Sequence, residues 1–445
     1  MRKSGFLIIL SVLFNYSFSN GQGIPDSIAV KPISISTMEI DSIESGECKI
    51  KDVPDVFRDL FKKEISLEKS AQMKKINLLI LPSLTSSPAN GFMLGVNATG
   101  TWAFGDPVST RLSMANAKVV ITTENQLITY LKTSIYTKDN NYFLNGDFRF
   151  YLYSLPTYGL GTNAPDTIVN DPDISWDGFN AAGKGSFPMS YDFIVFHQSV
   201  NKKVSENVYV GMGYQLDAYV NINDEILDLD TFPLQITPHW AYSKYYDIDS
   251  SNYASSGLSA NFVYDSRDNL LNPYSGYYFN VHFRYNTKLL GSTKESSMVY
   301  LEFRTYVGLS ERTPRHLLAF WFFGNFQTSG HSPYYTLMAL GDDQKATSGR
   351  GYIAGRYRGE QLVYGEVEYR FPILRCSQTL GGVIFVNAVS TTNLRRGVYL
   401  FDYVKPAVGV GLRVLMNKSV RLNIAIDYAI GFRSQGFYFN SGDAF

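Results

Sequence analysis

Residues 349–372 read GRGYIAGRYRGEQLVYGEVEYRFP. The stretch has two halves with different physical instructions. Up to Gly359 it is rich in Gly and Arg, a composition that resists a regular strand. From Val363 it alternates without a break, with Val363, Gly365, Val367, Tyr369 and Phe371 on one face and Tyr364, Glu366, Glu368 and Arg370 on the other. A period of two with one apolar and one charged face specifies a strand that separates two environments.

Composition narrows the class. The 445-residue chain balances 40 Lys and Arg against 40 Asp and Glu, which argues against nucleic acid as a partner, since that would call for a basic excess. Its 32 Tyr, 30 Phe and 36 Gly suit a large β structure with aromatics on its surface. The first residues read as an export signal: Arg2 and Lys3, then an apolar run from Gly5 to Phe14, then Ser17, Ser19 and Gly21. Residues 1–21 are a secretory signal peptide, too short to span a bilayer, with cleavage fitting after Ser19 or after Gly21. No later run approaches the ~20 apolar residues of a transmembrane helix. The exported chain is then either soluble or a membrane barrel, because only helices and closed barrels satisfy their backbone in lipid.

Residues 22–75 form a periplasmic leader. Within it 55–73 has helical periodicity, with Val56, Leu60, Ile65, Leu67 and Met73 among charged residues and Pro54 just before. This amphipathic helix is either a spacer or an element that packs on a barrel rim or a partner. From 76 onward the period is two almost everywhere, in sixteen predicted strands. The clearest is 277–286, with Tyr277, Phe279, Val281, Phe283 and Tyr285 opposite Asn280, His282, Arg284 and Asn286. The last is 435–445. The long connections, 154–190, 219–254 and 328–362, all follow odd-numbered strands and so leave on one side. Short turns on one side and long loops on the other, with aromatics near strand ends, specify an all-β, 16-stranded transmembrane β-barrel.

Five places in this order resemble the BamA/TamA superfamily of outer-membrane barrels, the bacterial surface antigen family. They are Tyr264 to Asn269 followed by Pro273 and Gly276; Gly349 to Tyr352; Gly365 to Pro372; Val408 to Arg413 with Arg421 to Ala429; and Phe437 to Phe445. The resemblance covers 76–445, and matches short members in which the barrel is not preceded by POTRA modules. It implies that the long sixth outer loop folds into the lumen, where Arg350, flanked by Gly351 and Tyr352, meets Glu368 on the wall. Asn387 falls where the family has an aspartate, so one anionic partner and one neutral acceptor are expected for Arg350. Phe437, Phe439, Gly442 and Phe445 fall on the terminal strand that an assembly machinery reads.

The implied function is insertion or translocation of proteins at the outer membrane through a weak seam between strands one and sixteen. The alternative is a passive pore, receptor or structural surface antigen with a closed, plugged barrel. Expected partners are outer-membrane lipid and lipopolysaccharide, with client outer-membrane proteins or periplasmic accessory proteins. An enzyme is not expected. His197 and Ser199 share a strand face at the spacing of outer-membrane phospholipases, but no second signal supports a nucleophile. No spacing points to a metal or another cofactor. Acidic residues at Asp224, Glu225, Asp228, Asp230, Asp247 and Asp249 read as a solvated loop rather than cation ligands. Cys48 and Cys376 both fall on the periplasmic side. Two unpaired thiols are the expectation, with a bridge from leader to rim as the alternative.

Overall fold

The computed structural model describes residues 49–61, 76–87, 90–106, 109–164, 175–176, 179–180, 186–230 and 235–445. The predicted signal peptide, Cys48 and the part of the predicted helix beyond residue 61 lie outside them. Sixteen strands form one sheet: β1 (Ile76–Ser87), β2 (Gly91–Trp102), β3 (Ser113–Thr122), β4 (Leu127–Tyr136), β5 (Tyr142–Ser154), β6 (Met189–Ser205), β7 (Val208–Asp224), β8 (Tyr253–Asp265), β9 (Gly276–Asn286), β10 (Ser296–Gly308), β11 (Leu317–Gly330), β12 (Gln361–Pro372), β13 (Leu380–Thr391), β14 (Lys405–Asn417), β15 (Leu422–Gly431) and β16 (Ser434–Ser441). Each strand pairs antiparallel with its sequence neighbour, so the topology is a plain meander. A two-residue hairpin, Ser175–Trp176 with Phe179–Asn180, stands apart from the sheet. Among the described residues no helix is long and apolar enough to cross a membrane.

The exposure pattern inverts that of a water-soluble sandwich. Val408, Val410 and Leu412 on β14 are 56%, 55% and 44% exposed, while Arg413 on the opposite face is 2% exposed. Leu258, Phe283, Phe322, Ile384 and Ile430 are likewise exposed, and Arg284, Glu302, Glu366, Glu368 and Asp427 are buried. An apolar outer belt around a charged interior is stable only where the outer solvent is hydrocarbon.

Two strands run longer than their alternation suggests. β6 and β7 each reach 17 residues, because their ladder runs on at both ends, with Met189 and Ser190 on Asp224 and Asn223 and with Asn201 to Ser205 on Gly211 to Val208. The final strand is shorter than the predicted 435–445. It stops at Ser441, where Gly442 takes a φ of 96° and turns the chain inward, so Phe445 is fully buried rather than in the sheet.

The outer connections close over the lumen. Helix α2 (Pro238–Tyr245), in the connection after β7, starts at Thr237, whose hydroxyl accepts from the Trp240 N–H. Tyr242 donates to the Ser332 carbonyl at 2.8 Å, and Tyr334 and Tyr335 from the connection after β11 pack with Tyr191, Tyr219 and Tyr253. His239 is buried in this cluster with its Nε2 3.1 Å from the Tyr253 hydroxyl, and burial pushes its pKa below the usual histidine range.

On the opposite rim lies the described part of the leader. Helix α1 (Val53–Leu60) has a capping box, with the Asp55 N–H on the Asp52 carboxylate at 3.0 Å and the Asp52 N–H on the Asp55 carboxylate at 3.3 Å. The same two acids hold the turn after β14: the Lys418 N–H donates to Asp52 at 3.1 Å and its ammonium to Asp55 at 2.6 Å. Lys51 donates its N–H to the Ser377 carbonyl at 2.8 Å and accepts from the Thr379 hydroxyl at 2.6 Å. Cys376, in the same turn, is disulfide-bonded. This corrects the expectation of unpaired thiols: the backbone bonds from Lys51 to Ser377 bring leader and turn together, a proximity that residue spacing does not encode. Reduction combined with Lys418→Met should expose Lys51 and Arg58 to trypsin at least about tenfold faster, with little change from Lys418→Met alone, because a half-exposed ion pair contributes only about 1 kcal/mol. Unchanged cleavage after both treatments would show that other contacts hold the leader.

Candidate functional site

The connection after β11, residues 331–360, carries the Gly-Arg-Gly-Tyr segment into the lumen. Gly349 and Gly351 have φ of 80° and 104°, conformations that L side chains rarely adopt, and between them Arg350 is aimed at the inner wall. Its guanidinium is 2% exposed and binds three carboxylates: Glu366 and Glu368 of β12, and Asp427 of β15 at 2.6 Å. Its Cζ lies 3.6 Å from the Phe385 ring centroid. Burial alone would disfavour the charge, but Glu366, Glu368 and Asp427 outweigh it and raise the Arg350 pKa well above its ordinary value.

Asn387 is close by but in a different role from the one expected. Its amide donates to the Arg350 backbone carbonyl at 2.9 Å, and the guanidinium keeps its carboxylates instead of sharing a neutral acceptor. The lock therefore holds more acid than the sequence suggested. Glu366 sits two residues before Glu368 on the same face of β12, and Asp427 comes from a strand that only the register of β14 with β15 brings alongside.

The wall around this site is a chain of paired charges. Arg370 donates to Glu368 at 2.7 Å, Arg413 bonds Asp427 and reaches Asp443 at 2.7 Å, and Asp443 also accepts from Asn423 at 2.9 Å. Gly351 donates its N–H to the Tyr438 hydroxyl of β16 at 2.8 Å, and the Tyr352 hydroxyl donates to the Pro406 carbonyl at 2.5 Å. Phe445 stacks near Trp321 with ring centroids 5.3 Å apart, and its carbonyl accepts from Arg370 at 3.1 Å. Of the other terminal residues, Phe437 points outward, 64% exposed, while Phe439 and Gly442 line a cavity behind β16. Arg350, Gly351, Tyr352, Glu368 and Asn387 thus meet in one place, and Phe445 joins the same buried cluster from the far side.

The phospholipase-like pair does not assemble. His197 Nε2 lies 2.9 Å from Asp217, while the Ser199 hydroxyl donates to the Asn145 carbonyl at 3.4 Å. Among the described residues no cluster of His, Cys, Asp and Glu could hold a metal ion.

The seam is the second feature. Every consecutive pair from β1 to β16 has a ladder, but β1 and β16 lie side by side with none between them among the described residues. β16 offers 8 residues against 12 in β1. A side-chain bond crosses nearby, from the Asn97 amide of β2 to the Ser441 hydroxyl at 3.0 Å.

A family model described as the Omp85 superfamily domain matches residues 174–445. No curated protein matches the chain. Among solved structures it is similar to BamA from Haemophilus ducreyi lacking POTRA domains 1–3, at 13% identity and a TM-score of 0.52, covering 83% of this chain and 70% of that one. It also matches CdiB from Acinetobacter baumannii at 13% identity and a TM-score of 0.45, covering 82% of this chain and 60% of that one, less than two thirds of its length.

Proposed function

Because this chain belongs to the Omp85 superfamily of outer-membrane barrels, we propose that it inserts or translocates client polypeptides at the outer membrane through the seam between β1 and β16. The observation that carries this reading is the missing ladder. Strands that lie together without backbone pairing keep N–H and C=O groups available, and in hydrocarbon these groups demand a partner. An entering strand of a client could supply it by β-augmentation. The Arg350 lock holds the wall on one side of the seam, so that β1 can move relative to β16 without the lumen collapsing.

The test joins the two sides covalently. Asn97→Cys with Ser441→Cys places thiols where the native side chains are 3.0 Å apart. Oxidised, this variant should lose client assembly and recover it on reduction. Depletion of the protein should lower other outer-membrane proteins or surface lipoproteins. Full function with the seam bridged would exclude lateral opening. The second reading, a closed surface antigen or receptor, draws on the tyrosine-rich outer cap around Tyr242, Tyr334 and Tyr335, which covers the lumen. It predicts that depletion leaves those levels unchanged.

A further inference from the structure

Behind the seam lies a cavity of about 410 Å³, bounded by Pro82 and Ser83 of β1 and by Phe439 to Ser441 of β16. That volume falls in the ~300–1,000 Å³ range of small-molecule sites. Three lysines from three segments line it: Lys118 of β3, Lys132 of β4 and Lys345 of the connection after β11. Among the described residues none of the three has a carboxylate within ion-pair distance. Lys132 donates to the Gln344 carbonyl and lies 4.5 Å from the Tyr130 ring centroid, both neutral partners. The other charges on the cavity wall are already matched. Arg267 bonds Asp265 at 2.9 Å, Arg304 bonds Glu302 at 2.7 Å, and Asp443 is taken by Arg413 and Asn423.

The contrast with the neighbouring wall points to a ligand. The buried arginines Arg350, Arg370 and Arg413 are paired with acids, and Arg315 is held by the Gln378 carbonyl and the Asn423 side chain. Here three ammonium groups line one void and have no counter-ion among the described residues. Secluded unpaired charge is costly, and an anion filling the space removes that cost without the lysines giving up their protons. Ammonium groups donate in three directions as compact point charges, which suits an oxyanion with several acceptor oxygens, phosphate above all. The rest of the lining mixes polar side chains such as Asn116 and Thr133 with apolar ones, Leu271, Ile424 and Phe439 among them. The side toward β1 and β16 is where, among the described residues, the sheet has no ladder. Outside it the belt residues Leu78 and Phe437 are 63% and 64% exposed.

We propose that this cavity binds the phosphate of a lipid headgroup, with Lys118, Lys132 and Lys345 as its donors and the acyl chains leaving through the seam into the bilayer. The proposal needs no polypeptide client and stands apart from the insertion reading. A lipid held here would fill the gap between β1 and β16 when no other strand occupies it.

The experiment uses the full chain purified in a neutral detergent and native mass spectrometry, with phosphatidylglycerol, diacylglycerol or inorganic phosphate added. Wild type should retain one phosphatidylglycerol, and diacylglycerol should not bind comparably. The Lys118→Gln/Lys132→Gln/Lys345→Gln variant should bind phosphatidylglycerol at least about tenfold more weakly, the loss expected when charge-assisted hydrogen bonds disappear. Lys202→Gln/Lys203→Gln, outside the cavity, should bind as wild type does. Folding is checked by the heat-dependent gel shift of intact barrels. If the triple variant does not fold, Lys345→Gln alone, on the connection rather than a strand, should still weaken binding by about threefold. Equal retention by folded lysine variants would overturn the proposal. So would equal binding of diacylglycerol, or displacement of the lipid by inorganic phosphate at similar concentration, which would indicate a site for the free anion.

Discussion

Arg350→Met should cost about 3–5 kcal/mol of stability, the range for removing one partner from a buried ion pair. It should also release the connection of residues 331–360 from the lumen wall. Methionine is close to arginine's aliphatic stem in bulk, so the loss is of charge and hydrogen bonds more than of volume. The three carboxylates are not left equally exposed to the change. Glu368 retains Arg370 at 2.7 Å, and Asp427 retains Arg413. Among the described residues Glu366 retains only the Tyr364 hydroxyl. Glu366 is therefore the acid that becomes an uncompensated buried charge. Arg350→Met/Glu366→Gln should recover about 1–2 kcal/mol of the loss, within the coupling energies of residues in one network. Arg350→Lys should not restore stability fully, because one ammonium cannot reproduce a planar fork reaching two strands. Urea unfolding of detergent-solubilised protein measures these differences, and limited proteolysis within 331–360 reports release of the connection. A double variant less stable than Arg350→Met would show that Glu366 is not the strained partner.

The parts legible in the sequence are those fixed by local period. Alternation in 277–286 and 363–371 places Arg284, Glu366 and Glu368 inside and Phe283 and Val367 outside, because a strand has only two faces. The short Gly-Arg-Gly-Tyr motif marks the connection that enters the lumen, since paired glycines at positive φ are needed to aim the arginine. What local period cannot supply is register between strands. Asp427 belongs to the Arg350 site only because β15 pairs with β14 and faces the same lumen. The inward turn of the last residues was written in Gly442, but alternation through Phe445 read it as more strand. Cys376 illustrates the same limit, because a rim contact between residues 51 and 377 leaves no periodic trace.

Gly351→Val should cost about 3 kcal/mol or more, for two reasons that add. At φ 104° a side chain imposes backbone strain of about 1–3 kcal/mol. A Cβ there would also lie 2.7 Å from the Ala407 Cβ and 3.2 Å from the Gly431 nitrogen, and overpacking of this kind costs about 1–3 kcal/mol. Neither neighbour is the flexible end of a side chain, so the connection itself must back away. Gly397 separates the two effects. It has φ 69° but nothing within 4 Å of a Cβ, so Gly397→Ala should cost only the conformational part, about 1–2 kcal/mol. The larger consequence concerns the seam. The connection holds the final strands through Arg350 on Asp427 and Gly351 on Tyr438, and Thr347 donates to the Ala444 carbonyl at 2.8 Å. Displacing Gly351 pulls at β15 and β16 together. Gly351→Val should therefore raise deuterium exchange in β16 as well as in 331–360, whereas Gly397→Ala should leave β16 unchanged. Equal exchange in β16 for both variants would separate the lock from the seam and leave Arg350 as a stabiliser of the lumen alone.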